Sequence, residues 1–305
     1  QTALLLELNQ VVETELNQHT NVAKTQFSLD SLPWAAGFNY DGLMGGEPWS
    51  PDDAPISDVA RSALIVNLLT EDNLPSYHHE IAVIFGRDDA WGEWVHRWTA
   101  EEGRHSAAMR DYMSVKRLVD PVDLERHRMS HMSTGYVSQH SGDMMRSLAY
   151  VSFQELATRI SHRNTGTYTN DPLCEQLLQR IAADENLHMI FYRNLLAGAL
   201  ELAPDQAMCA IRDVVCNFAM PGTDIPGFQR KAVEIALAGI YDLRSHKDEV
   251  VGPVLRYWKV WDLEGLGAEA EAARDELDRF LADLEAQAVR FEEIGEMLKA
   301  RMGVA

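Results

Sequence analysis

The chain has 305 residues, 46% of them hydrophobic, and a formal net charge of −20 at pH 7. That length and apolar share allow a sizeable core, while the acidic balance argues against nucleic acid as a partner, because phosphates would be repelled. No uninterrupted apolar run of about 18 residues occurs, so no transmembrane helix is expected, and Gln1 to Asn21 lacks the charged, apolar, small order of a secretory signal.

Apolar residues at Leu4, Leu5, Leu8, Val11, Val12 and Leu16 predict a helix over 3–17. Residues 18–56 are rich in breakers (Pro33, Gly37, Gly42, Gly45, Gly46, Pro48, Pro51, Pro55) and predict a long loop, with Trp34, Phe38, Tyr40 and Trp49 available to pin it on a core. Ser57 is an N-cap for a helix through Val59, Ala63, Leu64, Val66 and Leu68 and on past Glu71. Pro75 cannot donate to the carbonyl of Glu71, so that helix should kink or open there.

A second long helix is predicted from Asp89 to Val119, then a shorter one from Pro121 to Met132 and a loop through Gly135 and Gly142. The next runs from Asp143 to Arg163, with Asn164 and Gly166 as its stop, and Asp171-Pro172 opens another through Ala199. Later helices are expected at 204–219, 227–241, 246–261 and 266–300. Strand signals are weak throughout. The pattern reads as one all-α domain, 1–305, with an N-terminal helix and loop (1–56), a central bundle (57–200) and flanking helices (201–305).

Three Glu-x-x-His pairs occur: Glu93/His96, Glu102/His105 and Glu185/His188. At that spacing both side chains leave one helix face a turn apart and can ligate one transition metal. Alone, the spacing is common by chance. A second register lifts two of the pairs, since Glu71 lies 31 residues before Glu102 and Glu155 lies 30 before Glu185. Two helices each giving one Glu, and two each giving Glu-x-x-His, is the donor set of dimetal sites in four-helix bundles. Four carboxylates also balance two divalent ions. Glu93 is nine residues before Glu102, on the opposite side of the helix, and is set aside with His96.

The candidate metal ligands are therefore Glu71, Glu102, His105, Glu155, Glu185 and His188, a set suited to iron or manganese rather than zinc. Two ferrous ions side by side can give O2 two electrons at once, the start of attack on an unactivated C–H bond. Thr158 shares the face of Glu155 and either bonds back to a helix carbonyl or reaches toward the metals. Asp184 is either surface charge or the acceptor of a ligand histidine's outer N–H. Trp98, four before Glu102, is either packing or an electron relay. His162 is aligned with Glu155 but about 10 Å further along the axis, and is excluded as a ligand. His78-His79 are read as an exposed turn. Cys174, Cys209 and Cys216 are read as buried free thiols in a reducing cytoplasm.

The stretches Leu69-Thr70-Glu71-Asp72-Asn73-Leu74-Pro75-Ser76-Tyr77, Trp98 to His105, Ser152 to His162 and Ala182-Ala183-Asp184-Glu185-Asn186-Leu187-His188 resemble the soluble acyl-carrier-protein desaturases. Weaker similarity continues through Met220-Pro221, Gly239-Ile240-Tyr241 and Trp258-Lys259-Val260. The resemblance implies a ferritin-like four-helix core with flanking helices, a homodimer, and two iron ions per subunit beside a narrow apolar tunnel. It implies a cis double bond placed in an acyl chain on acyl carrier protein, using O2 and electrons from a ferredoxin, in the cytoplasm or in a plant's plastid stroma. It also gives Thr158, Trp98 and Asp184 roles beside the metals.

Three departures from the family pattern stand out. Gly103 replaces the usual Asn inside the first Glu-x-x-His, and a mid-helix Gly costs about 0.5–1 kcal/mol. Gln26 stands where the family has a Trp proposed to pass electrons. Acyl carrier protein is itself acidic, so docking needs a local basic patch, for which Lys116, Arg117, Arg126, Arg128, Arg230 and Lys231 are the candidates. Rival readings are a ferroxidase, another diiron oxidase or hydroxylase, and a non-catalytic paralogue that binds carrier protein or lipid. A ribonucleotide-reductase radical subunit is disfavoured because Met109 stands where its Tyr belongs.

Overall fold

A computed structural model of the chain describes residues 2–22, 48–53, 56–222, 225 and 227–302. Among them no strand occurs. The helices are α1 (Thr2–Val22), α2 (Asp58–Asp72), α3 (Leu74–Phe85), α4 (Asp89–Val115), α5 (Pro121–Thr134) and α6 (Met144–Thr169). They continue with α7 (Pro172–Leu202), α8 (Pro204–Cys216), α9 (Phe228–Leu237), α10 (Leu243–Ser245), α11 (Gly252–Trp258) and α12 (Ala268–Met302).

The bundle that matters for function is α2, α4, α6 and α7. α6 and α7 share the most extensive contact in the molecule, α2 packs on α4 and α6, and α4 closes against α7. α6 is buried on every side rather than along one stripe, as expected of a central helix. α1 lies across α4 and α7, while α8 and α12 cover the far end. The main core runs from Leu8 and Val12 of α1 to Trp94, Phe153, Phe191 and Leu195, all buried, each contributing about 1.5–3 kcal/mol, and a second cluster packs Leu64 and Leu68 of α2 against Met109, Met113 and Leu178. The Trp94 and Phe191 rings stack with centroids 3.5 Å apart.

Local chemistry sets the ends of these helices. The Ser57 hydroxyl caps α2 by accepting from Ala60 N–H at 3.2 Å. Asp171 caps α7 by accepting from Leu173 N–H at 2.9 Å, with Pro172 in the first turn, where its missing N–H is harmless. The break foreseen from Pro75 is present, since α2 ends at Asp72, Asn73 stands between, and α3 begins at Leu74. Glu71 therefore sits on the last turn of α2, just before the break.

Several expectations are corrected. Asn164 and Gly166 do not stop α6, which continues to Thr169 and ends at Asn170 in the left-handed region (φ 55°). Gly166 instead permits a close helix crossing, because a Cβ there would stand 3.1 Å from Glu175 Cα. Asn164 makes a tertiary bond to the Ile240 carbonyl at 2.9 Å. The helix expected over 246–261 is present but irregular: a π-turn from His246 to Val251, ahead of Pro253, which has no N–H to continue the ladder, runs directly into α11, and the helix ends at Lys259 in the left-handed region (φ 51°). His78 and His79 lie within α3 rather than on a turn, and His78 Nδ1 meets Thr99 Oγ1 at 2.7 Å. Of the cysteines, only Cys174 is buried; Cys209 and Cys216 are half-buried. The loop residues Trp34, Phe38 and Tyr40, and Gln26, lie outside the described residues. Trp49 is described, and its indole N–H donates to the Arg117 carbonyl at 2.8 Å.

Candidate metal centre

Each helix of the bundle supplies part of the predicted ligand set. Glu71 comes from α2, Glu102 and His105 from α4, Glu155 from α6, and Glu185 and His188 from α7; all are buried. They converge as two overlapping groups, Glu71–Glu102–His105–Glu185 and Glu102–Glu155–Glu185–His188, each with its donor atoms within 4.8 Å of one another. Glu102 and Glu185 belong to both groups and would be shared between two ions held there.

The inner atoms of this cluster face a common point rather than one another. His105 Nδ1 is 3.0 Å from Glu185 Oε1, and His188 Nδ1 is 2.9 Å from Glu102 Oε1. None of these atoms, nor Glu155 Oε2, has a hydrogen-bond partner of acceptable geometry. Buried polar atoms left this way are costly unless a cation collects them. Two imidazole nitrogens and four carboxylates in overlapping sets fit two divalent ions of the iron or manganese type.

Outer contacts orient each inner atom. His105 Nε2 lies 3.4 Å from Asp184 Oδ2, which also accepts from Arg104 at 3.3 Å. His188 Nε2 lies 3.0 Å from Glu101 Oε2. With Nε2 as the protonated nitrogen on both rings, Nδ1 presents its lone pair inward. The Trp98 indole N–H donates to Glu155 Oε1 at 3.1 Å, and His162 Nε2 meets Glu71 Oε1 at 2.9 Å. The Thr158 hydroxyl lies 2.9 Å from the Glu155 carbonyl and 3.2 Å from Glu185 Oε2, so it both bonds back along α6 and reaches the centre.

Electrostatics match a site built for positive charge. Burial and then the charges of neighbouring carboxylates push Glu71 and Glu155 well above the usual range. Burial also opposes ionisation of Glu102 and Glu185, but His105 and His188 outweigh it and hold both below that range. The two imidazoles are in turn raised despite burial, His105 by Glu102 and Asp184 and His188 by Glu101 and Glu102. Burial lowers His162 to about 4, which leaves it neutral beside Glu71.

One wall of the centre is open. Glu71, Glu102, Glu155 and Thr158 border a narrow, largely apolar cleft walled by Ile81, Ile84, Val151, Tyr150 and Met220. A neighbouring space between α2, α6 and α9 shares Thr70, Thr158, Met220 and Pro221 with it.

Sequence reasoning overlooked Glu101, His19 and the contact of His162 with Glu71. Glu101 directly precedes Glu102, so its side chain leaves α4 about 100° away, and no spacing marks it. Nothing local marks His19, 82 residues before its partner Glu101. Glu93 and His96 are exposed and outside both groups. Of the basic candidates, Lys116 is paired with Asp171, Arg117 with Asp53, Arg128 with Asp72 and Glu125, and Arg230 with Glu234, which leaves Arg126 and Lys231.

Fold and site together define a ferritin-like helical protein with a carboxylate–histidine centre in its core. The solved structure of DesA2 from Mycobacterium tuberculosis, titled a "putative acyl-ACP desaturase", superposes with a TM-score of 0.73 at 28% identity, over 91% of this chain and 99% of that one. Residues 1–302 match the family model described as fatty acid desaturase. The chain is 51% identical over 296 residues to the Mycobacterium tuberculosis protein named "Putative acyl-[acyl-carrier-protein] desaturase DesA1", covering 95% of this chain and 87% of that one. It is 30% identical over 255 residues to the chloroplastic stearoyl-[acyl-carrier-protein] 9-desaturase of Gossypium hirsutum, covering 78% of this chain and 63% of that one. The chain belongs to the fatty acid desaturase family, a family of oxidoreductases.

Proposed function

We propose that the protein is an O2-dependent desaturase that introduces a cis double bond into a saturated acyl chain carried on acyl carrier protein. Two overlapping donor sets opening onto an apolar cleft carry this reading. Glu71, Glu102, His105, Glu155, Glu185 and His188 would hold the two ions, Glu102 and Glu185 being the carboxylates common to both groups. Two iron ions held there supply the electrons that make O2 able to attack an unactivated C–H bond. The apolar walls at Ile81, Ile84 and Val151 hold the alkyl chain and exclude water from the carbons beside Thr158. The Thr158 hydroxyl, 3.2 Å from Glu185 Oε2, holds a movable proton at the edge of the cleft. Asp184 fixes the tautomer of His105.

The chain acts as a single domain and a homodimer in the cytoplasm, with a ferredoxin as electron donor. Arg126 and Lys231, with the exposed Arg230 beside its partner Glu234, are the cations placed to meet an acidic carrier protein. Among the described residues no helix is long and apolar enough to cross a membrane.

Mass spectrometry of acyl chains tests the reading, after the iron-loaded, chemically reduced protein meets O2 and palmitoyl- or stearoyl-carrier protein. A loss of two hydrogens is expected, and fragmentation then locates the bond. An added oxygen would make the protein a hydroxylase. An unchanged chain on both carriers would favour the non-catalytic paralogue.

A further inference from the structure

The centre has a support that lies outside the bundle altogether. α1 crosses α4 and α7 and delivers His19 into the layer just behind His188. His19 is buried, and its Nε2 stands 2.8 Å from Glu101 Oε2, the same oxygen that receives His188 Nε2 at 3.0 Å. The two imidazoles also stack nearly parallel, centroids 5.7 Å apart and planes 22° apart. Trp94 closes the layer edge-on to both, at 5.1 Å from His19 and 6.0 Å from His188. Arg97 holds the other oxygen of Glu101.

From this geometry we infer that His19 is a positioning residue for His188, acting through Glu101, so that the N-terminal helix helps to set metal affinity at one of the two ion positions. The inference rests on the metal-centre reading above. A carboxylate oxygen that receives two imidazole N–H groups cannot turn about its own axis without breaking both bonds. With Arg97 on the opposite oxygen, Glu101 is fixed at both ends. His188 is then held in one tautomer and one ring plane, with Nδ1 aimed inward. If His19 is removed, the imidazole stack is lost and Glu101 is free to follow Arg97 outward. Of the two overlapping ligand groups, His188 belongs to the one containing Glu155 and not to the one containing Glu71, and through its outer nitrogen it also clusters with Glu101 and His19; His105 is oriented separately by Asp184. The effect is therefore one-sided. His19 Nδ1 has no hydrogen-bond partner among the described residues, so the ring's contribution to the layer is its Nε2 contact and its face.

The test is anaerobic titration of the metal-free, full-length protein with Fe(II), and in parallel with Co(II), whose visible spectrum reports ligand geometry. Wild type should take up two ions. His19→Ala should keep the first and bind the second about 10- to 100-fold more weakly, with a changed Co(II) spectrum for that ion only. His19→Gln places an amide N–H near the position of Nε2 and should restore the second ion. His19→Phe keeps the flat face without the donor and should not. Two-ion binding of wild-type strength in both His19→Ala and His19→Phe would overturn the inference, as would equal weakening of both ions. A wild-type protein that binds neither ion would instead bring down the metal-centre reading itself. Should His19→Ala fail to fold, the Gln and Phe pair decides the matter, since they differ in the donor and both fill the space.

Discussion

The indole N–H of Trp98 donates to Glu155 Oε1 across 3.1 Å, joining α4 to α6 at the edge of the cleft. With one oxygen held this way, Glu155 turns Oε2 toward His188 Nδ1, 3.7 Å away, where Oε2 has no hydrogen-bond partner. A side chain that could have been packing alone is therefore also the handle that sets a carboxylate's orientation. Trp98→Phe keeps the apolar bulk and removes the donor. It should destabilise the protein by about 1–2 kcal/mol and lower the uptake of one ion, measured by urea unfolding and metal titration on one preparation. Unchanged values in both would reduce Trp98 to packing.

Shared and unshared residues should behave differently when removed. Glu102 and Glu185 sit in both donor groups, whereas Glu71 and His105 sit in one and Glu155 in the other. Glu185→Ala should therefore abolish binding of both ions and all turnover. Glu71→Ala should leave one ion bound, held by the Glu155 group. Elemental analysis of metal per chain after desalting reads this directly. Equal loss in the two variants would rule out the overlapping arrangement.

How much of this was legible in the sequence depends on whether the signal is local. Glu102 with His105, and Glu185 with His188, are three apart, and a helix converts that spacing into a shared face without outside help. Pro75 marks its own helix break because a missing N–H acts within one turn. Asp184 could be suspected from its place beside Glu185. Gly166 misled for the opposite reason, since glycine weakens a helix locally yet here admits the backbone of α7 to close range, a tertiary demand that prevails. His19 and Glu101 are joined only by the crossing of α1 over α4, which no period in the sequence encodes. The π-turn at His246–Val251 likewise follows from Pro253 together with packing against α6, of which the sequence displays only the proline.

Gly103 is the departure with the plainest remedy. A Cβ built there would meet Leu74 Cδ2 at 3.7 Å, an ordinary van der Waals contact, and no other atom comes closer. Helical backbone at this position needs no special conformation. Gly103→Ala should stabilise the protein by about 0.5–1 kcal/mol, through reduced entropy of the unfolded chain, with metal content unchanged. Urea midpoints compared at one pH check it. A destabilisation would mean that α4 has to bend at Gly103.

His246 should make stability fall on mild acidification. Its ring is held in apolar surroundings, stacked on Phe218 at 4.8 Å, with Nδ1 2.8 Å from the Tyr241 hydroxyl. Burial lowers its pKa to about 4 from an ordinary value of 6.5. A histidine lowered on folding is neutral in the native state, so the unfolded chain binds the proton first as pH drops. Its contribution is therefore intact above about pH 6.5, is lost progressively toward pH 4, and changes no further below that, a total on the order of 3 kcal/mol. Because carboxylates titrate in the same window, the informative quantity is a difference. His246→Gln retains an acceptor for Tyr241 but cannot titrate. Wild type should exceed the variant in urea-unfolding free energy near pH 7 by a margin that shrinks as pH falls to about 4.5. Parallel curves for the two proteins would show that His246 takes up its proton as readily folded as unfolded, and that the environment at the π-turn is wet.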